Sequence, residues 1–139
     1  NSFKTGLSAY HNLPSEDSIA GNGSVDLLFS LISLLPGKRA LIPFPTFIEY
    51  ERACAIHGWQ ITHLPPKTTR DFDLDLAGLL EALTAHSVLF LCMPNNPTGQ
   101  TLPVEVTEKI IHTAGKKGTF VVLDEAFLPF TDIPSAISL

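Results

Sequence analysis

The feature that most constrains this chain is the run Val88-Leu89-Phe90-Leu91-Cys92-Met93, which stops at Pro94-Asn95-Asn96-Pro97-Thr98-Gly99. Six consecutive apolar side chains leave no polar face, so the segment reads as a strand covered on both sides, as in a parallel sheet. Proline, asparagine and glycine in succession are turn formers, so a loop follows directly. Ligands of open parallel sheets bind just beyond the carboxyl ends of the strands. Asn95 and Asn96 therefore stand where a ligand would be reached.

The rest of the sequence supplies the partners such a strand needs. Short apolar segments at residues 40–43 and 120–123, and the segment 60–64, read as three more strands. Between them lie helical patterns. Residues 24–35 form an apolar helix stopped by Pro36-Gly37, and residues 104–117 carry spaced Val106, Ile110 and Ile111. A further helix runs toward Gly58 with apolar Phe47, Tyr50, Cys54 and Ile56; Thr46 followed three residues later by Glu49 is the spacing of a capping box at its start. Asp73-Leu74-Asp75 opens another through Leu76, Leu79, Leu80 and Leu83. Near the start, a short helix end is expected around residues 6–12, and the tail after Phe127 is loop-like. Strand and helix alternate with short connections, which argues for α/β architecture: a three-layer αβα domain with a mainly parallel sheet.

The sequence of 139 residues is 45% hydrophobic and 17% charged, which suits strands covered on both faces. A net charge of -5 without clustered Lys or Arg offers no footprint for nucleic acid or an anionic membrane surface, so a small molecule is the expected partner. No apolar run approaches the ~20 residues of a membrane-spanning helix. Cys54 and Cys92 have no Cys or His neighbour at metal-ligand spacing and read as buried small hydrophobes, consistent with a reducing, cytoplasmic setting. The five histidines, His11, His57, His63, His86 and His112, show no pairing pattern and read as structural or surface groups.

Three places at element ends offer chemistry. Gly21-Asn22-Gly23-Ser24 precedes the first apolar helix, where free N–H groups and the helix dipole favour an anion; Ser24 as an ordinary N-cap is the plainer alternative. In the Asn95-Asn96-Pro97-Thr98-Gly99 loop an amide can donate to a ligand oxygen, or simply shape the turn. Asp124 is the first acid after the apolar strand at 120–123. A partly desolvated carboxylate there stays ionised most easily against a cation, with an N-cap or a surface acid as the alternatives. Taken together, a phosphate cradle, an amide donor and a carboxylate in this order suit a phosphorylated pyridine aldehyde acting as an electron sink.

Gly-Asn-Gly-Ser at 21–24, Phe-Pro-Thr-Phe-Ile-Glu-Tyr at 44–50, Pro-Asn-Asn-Pro-Thr-Gly at 94–99 and Leu-Asp-Glu-Ala-Phe at 123–127 resemble the large domain of fold-type I pyridoxal-phosphate enzymes of the class I/II aminotransferase family. The resemblance covers essentially the whole chain and implies pyridoxal 5'-phosphate as cofactor. It implies that Gly23, Ser24 and Val25 cradle the phosphate, Phe47 stacks on the ring, Asn96 bonds the phenolic oxygen and Asp124 pairs with the protonated ring nitrogen. Asn95 is left as a turn residue. Many relatives carry Tyr at the places of Phe47 and Phe127, the latter beside the ring oxygen; here both are Phe.

Within the family, residues 20–23, 47–53 and 123–127 look most like threonine-phosphate decarboxylases of cobalamin biosynthesis, and next like histidinol-phosphate aminotransferases. The implied activity is that of an enzyme on a phosphorylated amino acid, working as a homodimer. A non-catalytic remnant that binds phosphate or a protein is the contrasting alternative. The lysine that bonds the cofactor lies one strand unit further on in the family. None of Lys4, Lys38, Lys67, Lys109, Lys116 and Lys117 fits, so it is expected beyond Leu139, together with the carboxylate-binding arginine and the small domain. The expectation is a partial large domain, inactive alone, cut from something longer at both ends.

Overall fold

A computed structural model describes residues 2–85 and 87–138; His86, expected to be a structural or surface group, lies outside them. The chain opens with α1 (Ser2–His11), longer than the helix end expected there. It continues through α2 (Ser24–Leu34), β1 (Arg39–Pro43), α3 (Glu49–Ile56), β2 (Gln60–Leu64), α4 (Leu76–Ala82), β3 (Ser87–Cys92), α5 (Val104–Lys117) and β4 (Phe120–Asp124). Short 3-10 turns at Ser15–Asp17, Leu128–Phe130 and Ala136–Ser138 shape the remaining segments, including the tail expected as loop.

The four strands form one sheet in the order β2-β1-β3-β4, and every neighbouring pair is parallel. All six residues of the central β3 are buried, as a strand without a polar face requires. Its alternate side chains divide the core. Val88, Phe90 and Cys92 pack with Leu28 and Ile32 of α2 and Tyr50, Ala53 and Cys54 of α3. Leu89 and Leu91 face Leu79 of α4 and Ile110 and Ala114 of α5. Helices thus cover both faces, and the three-layer expectation holds. Among the described residues, β2 and β4 stand at the two ends of the sheet and are half-exposed along their length, with Phe120 45% accessible.

Helix ends follow local chemistry, with one correction. Asp75 caps α4 by accepting from the Gly78 N–H at 3.2 Å. At the far end of α5, Gly118 takes φ 70°, a left-handed cap that closes the helix onto the Ala114 and Gly115 carbonyls. The capping box expected from Thr46 and Glu49 does not form. Ile48 is the N-cap of α3, with no side-chain cap bond, and the Glu49 carboxylate accepts from Arg52 at 2.7 Å. Thr46 is drawn away because its hydroxyl finds a partner 49 residues on, at the end of β3.

Candidate cofactor cleft

β1 and β3 are neighbours in the sheet, yet the chain leaves them for opposite faces, to α3 after β1 and to α5 after β3. Segments that part in this way leave a crevice at the carboxyl edge, where ligands of such sheets bind. Thr46 Oγ1 donates to Asn95 Oδ1 at 2.7 Å, and Asn95 Nδ2 donates to the Pro45 carbonyl at 3.0 Å and to Thr98 Oγ1 at 2.8 Å. An amide offers one acceptor oxygen and two N–H donors. Both donors of Asn95 are used, so its side chain ties the loop after β1 to the loop after β3. This goes beyond the turn role expected of it. Asn96 takes no part in that knot: its half-buried amide has no bond among the described residues, while its backbone N–H lies against Cys92.

One strand over, Asp124 ends β4 in register with Cys92. It shares the parity of Val122, which packs on the α2/α3 face, and so its carboxylate points to that side. Oδ2 accepts from the Tyr50 hydroxyl at 2.8 Å and Oδ1 from the Ala126 N–H at 3.0 Å. Tyr50 is 1% exposed. Burial above all, then the neighbouring Cys92 thiol and the Asp124 charge, push its hydroxyl far above the ordinary phenol range, so it stays protonated and acts as a donor. Burial also raises the Cys92 thiol, against the contrary pull of Tyr50 and the Asn96 N–H.

Ser24, Leu27, Leu31, Tyr50, Val122 and Asp124 line an open, mostly apolar cleft of about 440 Å³ between α2 and β4. The first turn of α2 faces the chain that precedes it, with Gly23 as N-cap at φ 91°. That backbone suits glycine, and a helix start leaves its first N–H groups without helical acceptors. The structure therefore brings Ser24 and Asp124 to one cleft, with Phe47 held edge-on against Tyr50 at 5.6 Å. Phe127 stands apart, 49% exposed and packed toward Phe130 at 6.5 Å. Among the described residues no group of His, Cys, Asp and Glu could hold a metal ion, and no helix is long and apolar enough to cross a membrane.

Sequence reasoning took Tyr50 only as an apolar helix residue and missed its bond to Asp124. The available signal was its place three residues after Phe47, a spacing that sets both on one side of the helix start.

A parallel three-layer αβα sheet with a cleft at its carboxyl edge is the architecture of the first portion of fold-type I pyridoxal-phosphate enzymes. The chain belongs to the aminotransferase class I and II family, whose profile matches residues 1–135, and the family's cofactor is pyridoxal 5'-phosphate. The chain is 36% identical over 136 residues to a histidinol-phosphate aminotransferase of Desulfitobacterium hafniense (strain DSM 10664 / DCB-2), covering 93% of this chain and 37% of that protein. The crystal structure of the histidinol-phosphate aminotransferase from Clostridium acetobutylicum matches with a TM-score of 0.84 at 25% identity, over 96% of this chain and 39% of that one. L-threonine-O-3-phosphate decarboxylase from Porphyromonas gingivalis matches with a TM-score of 0.79 at 24% identity, over 96% and 38%, a likeness of fold.

The donor set fits this cofactor. A helix start suits its phosphate, an apolar wall its ring, and a carboxylate held at both oxygens still has lone pairs for a protonated nitrogen.

Proposed function

We propose that the full-length protein is a pyridoxal-phosphate enzyme acting on a phosphorylated amino acid or amine, and that transamination of a histidinol-phosphate-type substrate is its reaction. The observation that carries the site is the Asp124 carboxylate, fixed at the end of β4 in the same cleft as Ser24 at the start of α2. What favours the reaction is the 36% identity to a histidinol-phosphate aminotransferase over nearly the whole chain.

In this reading the backbone N–H groups of Gly23, Ser24 and Val25 hold the phosphate at the positive end of the α2 dipole. Phe47 lies against the ring, and the Asn96 amide, free of the Asn95 knot, donates to the ring oxygen. Asp124 accepts from the ring nitrogen and keeps it protonated. Phe127, which stands apart from the cleft, supplies no hydroxyl. Bound in this way, the cofactor supplies an electron sink for bonds at the substrate's α-carbon.

Decarboxylation of a phosphorylated amino acid such as threonine phosphate is the second reading. Phe127 favours it, standing where many aminotransferases of the family place a tyrosine. Two measurements on the full-length protein divide the readings: keto product formed from histidinol phosphate with 2-oxoglutarate, and carbon dioxide released from threonine phosphate. Keto product without carbon dioxide supports the aminotransferase, and carbon dioxide without keto product overturns it.

Asp124→Asn tests the site itself. A hydrogen bond to a charged group is worth about 1.5–3 kcal/mol, so turnover should fall by roughly 10- to 150-fold. Unchanged turnover removes Asp124 from its role.

A further inference from the structure

Tyr50 is a buried polar group lining the cleft whose chemistry the proposed function does not use. Its ring lies stacked on Phe90, with centroids 5.4 Å apart and planes 19° from parallel, and edge-on to Phe47 at 84°. A phenylalanine would fill that space equally well. The hydroxyl is the puzzle, because burying one without a partner is unfavourable. Its partner is Asp124 Oδ2, 74 residues away in sequence. The phenol thus reaches from α3 across to β4 and ends on the carboxylate proposed to face the ring nitrogen.

We propose that Tyr50 is a positioning residue: its hydroxyl holds the Asp124 carboxylate in one orientation, aimed at a protonated ring nitrogen. This rests on the proposed role of Asp124. The Ala126 N–H grips the other oxygen, so the two donors together fix the plane of the carboxylate. A buried phenol kept protonated donates steadily, so the bond to Asp124 is not lost by ionisation of the hydroxyl. Phe47 rests on the same ring, so one tyrosine sets both the carboxylate and the proposed stacking residue.

The test uses the full-length protein and measures the dissociation constant for pyridoxal phosphate and the visible circular dichroism of the bound cofactor. Tyr50→Phe keeps the ring and removes only the donor. It should weaken cofactor binding about five- to tenfold and change the dichroic band. In an Asp124→Asn background the same substitution should change affinity less than twofold. Phe90→Leu is the packing control, expected to lower the urea midpoint while leaving affinity within twofold.

Equal effects of Tyr50→Phe in both backgrounds, or none in the wild-type background, would overturn the inference. So would an affinity loss in Phe90→Leu as large as that in Tyr50→Phe, since packing alone would then explain both. If Asp124→Asn binds the cofactor and turns over like wild type, the proposed role of Asp124 falls first and the role of Tyr50 with it.

Discussion

Replacing Asn95 with alanine removes three side-chain hydrogen bonds at once: the one accepted from Thr46 and those donated to the Pro45 carbonyl and to Thr98. At about 1 kcal/mol net for each, complete burial would put the loss near 3 kcal/mol. Asn95, Thr46 and Thr98 are only half-buried, so water recovers part of it, and a loss of about 2 kcal/mol is expected. Urea unfolding of the full-length apoprotein, followed by circular dichroism, measures it as a lower midpoint at constant slope. Thr46→Val breaks one of the three bonds and should cost about 1 kcal/mol. The double variant should lose about 1 kcal/mol less than the sum of the single ones, because both remove the same bond. A loss below about 0.5 kcal/mol for Asn95→Ala, the range of ordinary surface changes, would refute the view that this amide ties the two loops.

Cys54 gives a pH signature. Burial pushes its thiol from 9.0 up to about 12, so between those values the unfolded chain sheds a proton that the folded chain keeps. Stability should therefore fall as pH rises from 9 toward 12, and Cys54→Ala should flatten part of that fall in urea midpoints taken across the window; Tyr50 and Cys92 act in the same direction and account for the remainder. Glu125 accepts from the Ala136 N–H at 2.8 Å and from the Ser135 hydroxyl, pinning the last turn to the end of β4. Glu125→Ala should speed amide hydrogen exchange at residues 135–137 and leave that of β3 unchanged; unaltered exchange near 136 would show that the turn does not depend on the carboxylate.

Most of the fold could be read from residue patterns because the core is divided by simple alternation. Six apolar residues in a row placed β3 at the centre, and the punctuation at Pro36-Gly37 and Asp73-Leu74-Asp75 marked helix limits to within a residue or so. What failed was local inference about polar groups. Thr46 and Glu49 have capping-box spacing, but a hydroxyl that can bond a neighbour or a distant amide takes whichever the tertiary fold presents, and here Asn95 is presented. Tyr50 has the spacing of the apolar residues of its helix, and the spacing is silent about what meets the hydroxyl.

The two misread groups share a physical cause that bears on how the cleft works. Thr46–Asn95 and Tyr50–Asp124 join residues 49 and 74 apart, and both lie at the carboxyl edge of the sheet, between a segment after β1 and one at the end of β3 or β4. Apolar packing positions strands and helices, but it is non-directional and leaves the rotation of a carboxylate or amide free. Hydrogen bonds are directional, so a side chain held at each polar atom has one orientation. At this edge the two forces have separate tasks: Phe90 and its neighbours bring α3 over the sheet, and the Tyr50 hydroxyl then aims Asp124. Asn95 shows the same division within one loop: both amide donors are spent on Pro45 and Thr98, and its oxygen accepts from Thr46, so its orientation is fixed by bonds rather than by packing.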